Sequence, residues 1–303
     1  MQPTVQELMR RALAIKTVIP GFNIPYLPMM EPVVRALRDT GSFGLIMVAR
    51  LEWIKFSSGS VQAIAEEYHR VCDLRHTRLH LDHVPVIDED NLHVDYAPII
   101  QQAIDVGYNS VMIDGSRLSL ADNIAATKKI VDMAHAKNVA VEGELGAVMG
   151  HEAGPLPPYE ELFASGKGFT DPREAERFVK ETGVDWLSVA VGSVHGAISE
   201  ATRGQKKVDA RLNIEHLEKI NQLTCIPLVL HGGTGIRKEY VMDSLSHGIA
   251  KINVATAIRQ PYEKLMKESV PAAQAAVYEQ MLQVIRHDLE IQGTAAKLQA
   301  NVG

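Results

Sequence analysis

The chain has 303 residues, a hydrophobic fraction of 46% and a formal net charge of -6. This composition is typical of a globular protein with a large core, built as one large α/β barrel or as two smaller domains. The acidic balance and the lack of a basic stripe argue against nucleic acid as the main partner. The sequence has no apolar run of about 18 residues and no signal-peptide pattern, so we expect a cytoplasmic protein without a membrane partner.

The two cysteines, Cys72 and Cys225, are far apart and lie outside any CxxC pattern. Disulfide frameworks and thiolate metal sites both need several cysteines at characteristic spacings. The sequence therefore predicts neither of them.

Short apolar runs alternate with amphipathic stretches along the first half of the chain. The first predicted helix begins at Thr4 and Glu7, which are spaced as in a capping box, and extends to Ala14. Further helices are predicted at 30–40, 61–74, 95–106 and 120–137. Strands are predicted at 18–23, 44–49, 79–82, 110–114 and 139–143. The almost wholly apolar run at 44–49 is typical of a parallel strand that helices cover on both faces.

A segment rich in glycine and proline, residues 146–168, interrupts this alternation. Loops longer than about 12 to 15 residues are uncommon in compact domains and often act as lids. We therefore predict a mobile active-site loop in this segment.

The alternation resumes at Asp171, which is predicted to cap a helix that has Pro172 at its first position and Glu174 at its third. Further strands are predicted at 186–191, 228–231 and 251–254, with helices at 213–222 and 237–246. The chain from about 257 to 292 is predicted as C-terminal helices with a break at Pro271.

Eight predicted strands separated by helices indicate a (β/α)8 TIM barrel, formed by residues 1–303 as a single domain. An open doubly wound α/β sheet is the alternative. A barrel carries its active site at the C-terminal ends of its strands. Catalytic groups are therefore expected among the residues at those ends.

Three of the twelve histidines, His83, His195 and His231, lie at or just beyond predicted strand ends. Three imidazoles that converge from separate strands match a catalytic zinc site, in which a fourth position stays open for substrate. A single histidine in such a position is more often a hydrogen-bonded polar residue, so the prediction depends on all three. Asp82 precedes the first of them and is a candidate base for the same bound molecule.

Two acidic residues stand near neighbouring strand ends. Glu144 is a candidate for an alternative carboxylate ligand, and Asp114 is a candidate for a second divalent ion. Each is equally consistent with an acid that faces a loop.

Turns that suit an anion follow the last two predicted strands: His231-Gly232-Gly233-Thr234-Gly235 and Asn253-Val254-Ala255-Thr256. Glycines let backbone amides approach an anion closely, and helix N-termini add their dipole. In a barrel this combination at the seventh and eighth strands predicts a phosphate site.

Six motifs follow one another in the order of the predicted strands: Leu81-Asp82-His83, Met112-Ile113-Asp114-Gly115-Ser116, Val141-Glu142-Gly143-Glu144-Leu145-Gly146, Gly192-Ser193-Val194-His195-Gly196, Pro227-Leu228-Val229-Leu230-His231-Gly232-Gly233-Thr234-Gly235 and Lys251-Ile252-Asn253-Val254-Ala255-Thr256. Together they resemble the class II, zinc-dependent ketose-bisphosphate aldolases, the family that contains fructose- and tagatose-bisphosphate aldolases. The resemblance covers about residues 18 to 256, and the C-terminal Gln292-Gly293-Thr294-Ala295 is similar to the family's tail.

The resemblance implies reversible aldol cleavage of a ketose (bis)phosphate into dihydroxyacetone phosphate and an aldehyde, through a zinc-stabilised enediolate. It implies that Asp82 transfers the proton, and that Glu152 in the loop exchanges a proton with the aldehyde oxygen. The implied metal residues are His83, His195 and His231 for catalytic Zn2+, Glu144 as an alternative ligand, and Asp114 for a second divalent ion. The implied donor-binding residues are Asn23, Gly196, Gly232, Gly233, Thr234, Asn253, Ala255 and Thr256.

Two further expectations come from the same resemblance. Carbonyl groups around Val194, Gly196 and Gly232 are expected to hold a monovalent cation, Na+ or K+, in members that use one. The family also suggests a homodimer or homotetramer, with subunit contacts made by the helices from Pro261 onward.

The chain departs from the family pattern after its second predicted strand. Ala49 stands where the family usually has a serine that contacts the donor, and Arg50 and Glu52 place charge beside it. Arg117 stands where tagatose-type members often have histidine. These changes are consistent with unaltered chemistry, with an altered donor, or with an acidic acceptor whose carboxylate pairs with Arg50.

Two other functions fit parts of the pattern. A non-catalytic sugar-phosphate-binding protein or partner subunit would keep the barrel, and Ala49 is its best support. A Schiff-base aldolase would need a lysine on a strand, and Lys251 is the only obvious one. Because Lys251 begins the eighth predicted strand, we expect it at the opposite face of the barrel, away from the chemistry.

Overall fold

The structure is a computed structural model that describes residues 2–146, 159–193, 210–233 and 235–300. Eight parallel strands close into a barrel in which each strand pairs with the next and the eighth pairs with the first. They are β1 (Ile19–Asn23), β2 (Gly44–Ala49), β3 (Thr77–Pro85), β4 (Ser110–Asp114), β5 (Ala140–Leu145), β6 (Trp186–Val189), β7 (Leu228–Leu230) and β8 (Ile249–Val254). The predicted TIM barrel is confirmed. The open sheet is wrong, because Ile19 of β1 pairs with Lys251 of β8.

Helices connect the strands and surround the barrel. In the first half they are α1 (Val5–Ala14), α2 (Met30–Asp39), α3 (Arg50–Lys55), α4 (Val61–Val71), α5 (Tyr96–Asp105) and α6 (Leu120–His135). They continue as α7 (Tyr159–Ser165), α8 (Pro172–Thr182), α9 (Ile214–Thr224), α10 (Lys238–Ser244), α11 (Thr256–Leu265), α12 (Val270–Gln283) and α13 (Thr294–Gln299). Within the described ranges, none of these helices is both long and apolar enough to cross a bilayer.

Capping fixes where two of the helices begin. Thr4 accepts a hydrogen bond from the backbone N–H of Glu7, and the Glu7 carboxylate accepts one from the backbone N–H of Thr4. Asp171 likewise accepts from the backbone N–H groups of Arg173 and Glu174. Each cap satisfies amides that have no partner inside the helix, so both predicted helix starts are confirmed.

The N-terminal end of the barrel is covered by α1. Its apolar face buries Leu8, Met9 and Ala12 in a cluster with inward-facing strand residues such as Leu45 and Trp186. Each Å² of apolar area buried in this way contributes about 25 cal/mol to the stability of the barrel. This end is therefore packed core, and the opposite end is where polar groups collect.

Several element bounds differ from the sequence predictions. The predicted loop at 146–168 contains α7, and Pro271 lies in the first turn of α12, where a proline is tolerated, and does not break a helix. β3 extends past Asp82 to Pro85. The unpredicted α3 begins where the Glu52 carboxylate accepts a hydrogen bond of 2.8 Å from the backbone N–H of Ala49.

Polar residues two apart on three strands form two levels inside the barrel. The upper level is at the C-terminal ends and contains Asp82, Glu144 and Asn253. The lower level contains His80, Glu142 and Lys251, all fully buried. Because strand side chains alternate between faces, each lower residue points into the same interior as the upper residue two positions later.

Candidate active site

The C-terminal part of β3 is irregular, and this irregularity brings two adjacent side chains into one site. The pairing of β3 with β4 shifts register between Leu81 and Val84, and His83 has a φ of 21°. Such bulges re-aim side chains, and a strained φ of this kind is common at functional sites. Asp82 therefore contacts groups of β1 and β8, while His83 contacts groups of β4 and β5.

Asp82 is held by two side-chain amides. Asn23 Nδ2 donates to Asp82 Oδ2 at 2.9 Å, and Asn253 Nδ2 donates to Asp82 Oδ1 at 3.0 Å. Burial by itself raises the pKa of Asp82, but the nearby His83 and Lys251 charges outweigh it and lower the pKa to about 2. The carboxylate is thus ionised, oriented on both oxygens and available as a proton acceptor.

The rings of His83 and His231 contact each other edge to face, with ring centroids 4.4 Å apart. His83 Nδ1 lies 3.2 Å from Asp114 Oδ2 and 3.7 Å from Glu144 Oε2. His231 Nδ1 lies 3.3 Å from the same Glu144 oxygen. Two sets of possible ligand atoms each lie within 4.8 Å of one another: Asp82, His83 and His231, and His83, Asp114 and Glu144.

The charges of this cluster favour a cation. Burial lowers the pKa of His83, but Asp82, Asp114 and Glu144 outweigh it and raise the pKa to about 10. The pKa of Glu144 is raised by burial and by Asp114, which indicates that the negative charge of this buried carboxylate is not fully compensated. Imidazole nitrogens and carboxylate oxygens at such spacings suit a divalent ion such as zinc. These residues therefore fit a metal cation.

Part of the predicted site lies outside the described residues. These positions are Glu152, Val194, His195, Gly196 and Thr234. Among the described residues, the structure brings together Asn23, Asp82, His83, Asp114, Glu144, His231 and Asn253.

The turn after β7 packs directly against the end of β8. A Cβ atom on Gly233 would lie 2.5 Å from Ile252 Cγ1 and 2.8 Å from the Asn253 carbonyl oxygen, so only glycine fits. Gly232 has a φ of 68°, a conformation that favours glycine. Ala255 and Thr256 open α11 at the same end of the barrel. Two backbone turns and a helix N-terminus thus lie at the same end of the barrel.

Residues of the lower level were missed as site residues. Glu142 Oε1 accepts a hydrogen bond from His231 Nε2 at 2.9 Å, and His80 Nε2 lies 3.4 Å from Glu142 Oε2. Burial and the Lys251 charge lower the pKa of His80 to about 4, so His80 is neutral. The sequence did contain a signal for these residues, because each of them is a polar residue two positions before a polar residue at a strand end.

The expected position of Lys251 is wrong. Lys251 is the third residue of β8, and its Nζ lies 2.9 Å from Glu142 Oε2 and 2.7 Å from Asn253 Oδ1. The long side chain reaches up the barrel interior, so its ammonium group lies directly beneath the candidate site. Only the side chain of Asn253 separates this ammonium group from Asp82, so Lys251 is not at the opposite face of the barrel.

The residues that depart from the family pattern make contacts of their own. Glu52 is buried, and Asn23 Nδ2 lies 3.4 Å from Glu52 Oε2. Burial and the neighbouring Asp82 raise the pKa of Glu52 to about 8, against the opposing hydrogen bond from Ala49. Arg50 lies 3.5 Å from an Asp88 carboxylate oxygen, and Arg117 donates to the Asp88 carbonyl at 2.8 Å.

The barrel and its cluster of imidazoles and carboxylates define a (β/α)8 protein with candidate catalytic groups at the C-terminal strand ends. A family model described as class II fructose-bisphosphate aldolase matches residues 3–297. The fructose-bisphosphate aldolase of Geobacillus stearothermophilus is 33% identical over 270 residues, which cover 88% of this chain and 84% of that protein. A probable fructose-bisphosphate aldolase of Bacillus subtilis is 31% identical over 274 residues, which cover 89% and 86%.

A solved structure agrees with these relatives. The YdjI aldolase of Escherichia coli K12 superposes with a TM-score of 0.74 at 26% identity, covering 97% of this chain and 100% of that one. The chain belongs to the class II fructose-bisphosphate aldolase family. It is accordingly a class II aldolase, a carbon–carbon lyase, and the non-catalytic alternative is set aside.

Proposed function

We propose that this aldolase reversibly joins dihydroxyacetone phosphate to an aldehyde, and that Asp82 moves the proton of the donor half-reaction. The observation that carries the proposal is the pair formed by Asp82 and His83 on the bulged end of β3. A base and a candidate metal ligand that are adjacent in the chain can act on neighbouring atoms of one bound molecule.

His83 and His231 would hold a zinc ion together with His195, with Glu144 as an alternative ligand and Asp114 near a second divalent ion. The support is the compact set of ligand atoms and the buried Glu144 carboxylate, whose pKa is raised by burial and by Asp114. When bound, zinc supplies a Lewis acid that polarises the donor ketone and stabilises the negative charge that develops on its oxygen.

Asp82 would remove a proton from the carbon beside the donor ketone and return it in the cleavage direction. A carboxylate with a pKa of about 2 is a weak base for a carbon acid. Each pKa unit of mismatch costs about 1.4 kcal/mol, which explains why this reaction needs an electrophile next to Asp82. The two amides from Asn23 and Asn253 would hold the carboxylate oxygens toward the substrate carbon.

The turn that contains Gly232 and Gly233, with Ala255 and Thr256, would hold the donor phosphate, and Gly196, Thr234 and Asn253 complete the set predicted from the sequence. The carbonyl of Gly232 also belongs to the predicted Na+ or K+ site. Supporting features are the close approach of Gly233 to β8 and the N-terminus of α11. In the loop, Glu152 would return a proton to the aldehyde oxygen.

The substrate name of the relatives, fructose bisphosphate, suggests glyceraldehyde phosphate as the acceptor. The contact between Arg50 and Asp88 lowers the support for an acidic acceptor, because the guanidinium already has a carboxylate partner. A homodimer or homotetramer and a loop that closes over the site remain part of this proposal.

The test is exchange of solvent deuterium into dihydroxyacetone phosphate, followed by NMR, with zinc-loaded and chelated protein. We expect exchange that requires zinc, that disappears in Asp82→Ala and that persists in Asp132→Ala, which removes an exposed carboxylate of α6. Exchange that is equal in Asp82→Ala and the unsubstituted protein would sink the assignment of Asp82. A zinc-loaded protein without exchange would mean that the donor differs.

A further inference from the structure

Two consecutive hydrogen bonds connect the lower level of the barrel to Asp82. Lys251 Nζ donates to Asn253 Oδ1 at 2.7 Å, and Asn253 Nδ2 donates to Asp82 Oδ1 at 3.0 Å. We infer that Lys251 is a positioning residue that acts through the side-chain amide of Asn253 to orient Asp82 for proton transfer. The inference rests on the proposed function, in which Asp82 is the proton-transferring group.

The direction of these two hydrogen bonds follows from the chemistry of the groups. An ammonium group can only donate and a carboxylate can only accept, whereas a side-chain amide has one donating and one accepting end. Between Lys251 and Asp82, only one orientation of the Asn253 amide satisfies both neighbours. If Lys251 lost its ammonium group, the amide would lose the contact that selects this orientation and could turn its oxygen toward Asp82.

The charge of Lys251 is compensated from below by Glu142. The distances from Lys251 Nζ to the two Glu142 carboxylate oxygens are 2.9 and 3.2 Å. Glu142, Lys251 and Asn253 are all buried. A buried ammonium group needs such a partner, because its desolvation is costly. The pair therefore keeps a charged donor in the barrel interior without access to water.

Glu142 has further partners that fix its position. Trp186 Nε1 donates to Glu142 Oε2 at 2.7 Å, and His231 Nε2 lies 2.9 Å from Oε1. His80, Asp82 and Glu142 also have possible ligand atoms within 4.8 Å of one another. A metal ion between His80, Asp82 and Glu142 is unnecessary, because the Lys251 ammonium group already supplies the cation that pairs with the Glu142 carboxylate.

Asp82 has a second holder, so loss of Lys251 is expected to impair catalysis and not to abolish it. Asn23 contacts the other carboxylate oxygen and is itself near Glu52, independently of Lys251. Partners of this kind, one shell away from the reacting groups, typically contribute about 10- to 100-fold. We expect a loss of that size in the rate of deuterium exchange at saturating donor.

Two double variants isolate the hydrogen bond from the buried charge. Lys251→Gln with Glu142→Gln, and Lys251→Met with Glu142→Gln, both lack the ion pair, but only the first keeps a donor for Asn253. With zinc in excess, we expect exchange to be about 10- to 100-fold slower in the methionine variant than in the glutamine variant, with KM for the donor similar in both. Equal rates in the two variants would reduce Lys251 to a structural role.

A readout that does not need the reaction is the side-chain amide resonance of Asn253 in 15N-labelled protein, assigned by its loss in Asn253→Asp. We expect this resonance to shift and its protons to exchange faster with water in the methionine variant than in the glutamine variant. An unchanged resonance overturns the inference whatever the enzyme's substrate is. Failure of the proposed function would appear separately, as lack of zinc-dependent exchange in the unsubstituted protein.

Discussion

His231 and Glu142 form a hydrogen bond of 2.9 Å between Nε2 and Oε1 in the barrel interior. In this bond the Nε2–H of His231 donates to the Glu142 carboxylate, and the opposite nitrogen, Nδ1, faces Glu144 at 3.3 Å. Carboxylates that bind the far nitrogen of a metal-ligating histidine set its tautomer and raise its affinity for the metal. Glu142 would thus orient both His231 and, through Lys251 and Asn253, the side chain of Asp82.

Replacing Glu142 is therefore expected to weaken metal binding. In Glu142→Gln we expect about 10- to 100-fold lower zinc affinity, the usual effect of losing such a partner, measured by competition with a chromophoric chelator. Glu160→Gln, which changes an exposed glutamate of α7, serves as the control. Equal zinc affinity in Glu142→Gln and the control would contradict the role of this hydrogen bond.

The contact of Gly233 with β8 makes a second prediction. In Gly233→Ala the new methyl group would meet Ile252 and the Asn253 carbonyl at distances that force one of them to move. Overpacking of this kind costs about 1–3 kcal/mol, and the shift would also disturb the proposed phosphate site. We expect a lower melting temperature and a higher KM for dihydroxyacetone phosphate, measured by calorimetry and exchange kinetics; an unchanged KM would place the phosphate elsewhere.

The barrel was predictable because its strands are short apolar runs covered by helices, and because their number and spacing allow one closed sheet. Asp82 and the two described histidines were predictable because chemistry collects at strand ends. His80 escaped the prediction because only strand ends were considered, and Glu142 was noted only as part of a motif. Lys251 was expected at the opposite face of the barrel, but its long side chain reaches one level higher inside the barrel.

The irregular end of β3 could not be predicted from the sequence pattern either. A regular strand would send Asp82 and His83 to opposite faces, and only the register shift between Leu81 and Val84 places both in one site. The start of α3 depends on a hydrogen bond from the backbone N–H of Ala49 to the Glu52 carboxylate. From the sequence, Glu52 was predicted only to place a charge near Ala49. Such features follow from tertiary contacts and not from local preference.

Arg50 provides a test of substrate specificity. Because Arg50 already contacts Asp88 at 3.5 Å, we expect Arg50→Met to leave the preference between acidic and neutral aldehyde acceptors unchanged within about threefold. The measurement is the ratio of kcat/KM values for matched acceptors with and without a terminal carboxylate. A selective loss of activity toward the acidic acceptor would instead assign Arg50 to substrate recognition.

Glu52 predicts a pH dependence of stability. Its pKa is raised from 4.5 to about 8 by burial and by Asp82, so the folded protein holds a proton that the unfolded chain releases above pH 4.5. The stability linked to this proton is fully present below pH 4.5 and is lost as the pH rises through about 8. In the unsubstituted protein we therefore expect the free energy of unfolding to fall between pH 5 and pH 9 by a few kcal/mol more than in Glu52→Gln, which cannot ionise.

Urea unfolding of the chelated proteins across this pH range measures the difference. Glu66→Gln, which changes an exposed glutamate of α4, should behave like the unsubstituted protein, since that side chain is solvated in both states. Parallel pH profiles for Glu52→Gln and Glu66→Gln would mean that the Glu52 carboxyl ionises normally beside Asp82. Asp82 would then share its end of the barrel with a second negative charge, and its orientation would depend more heavily on the amide of Asn253.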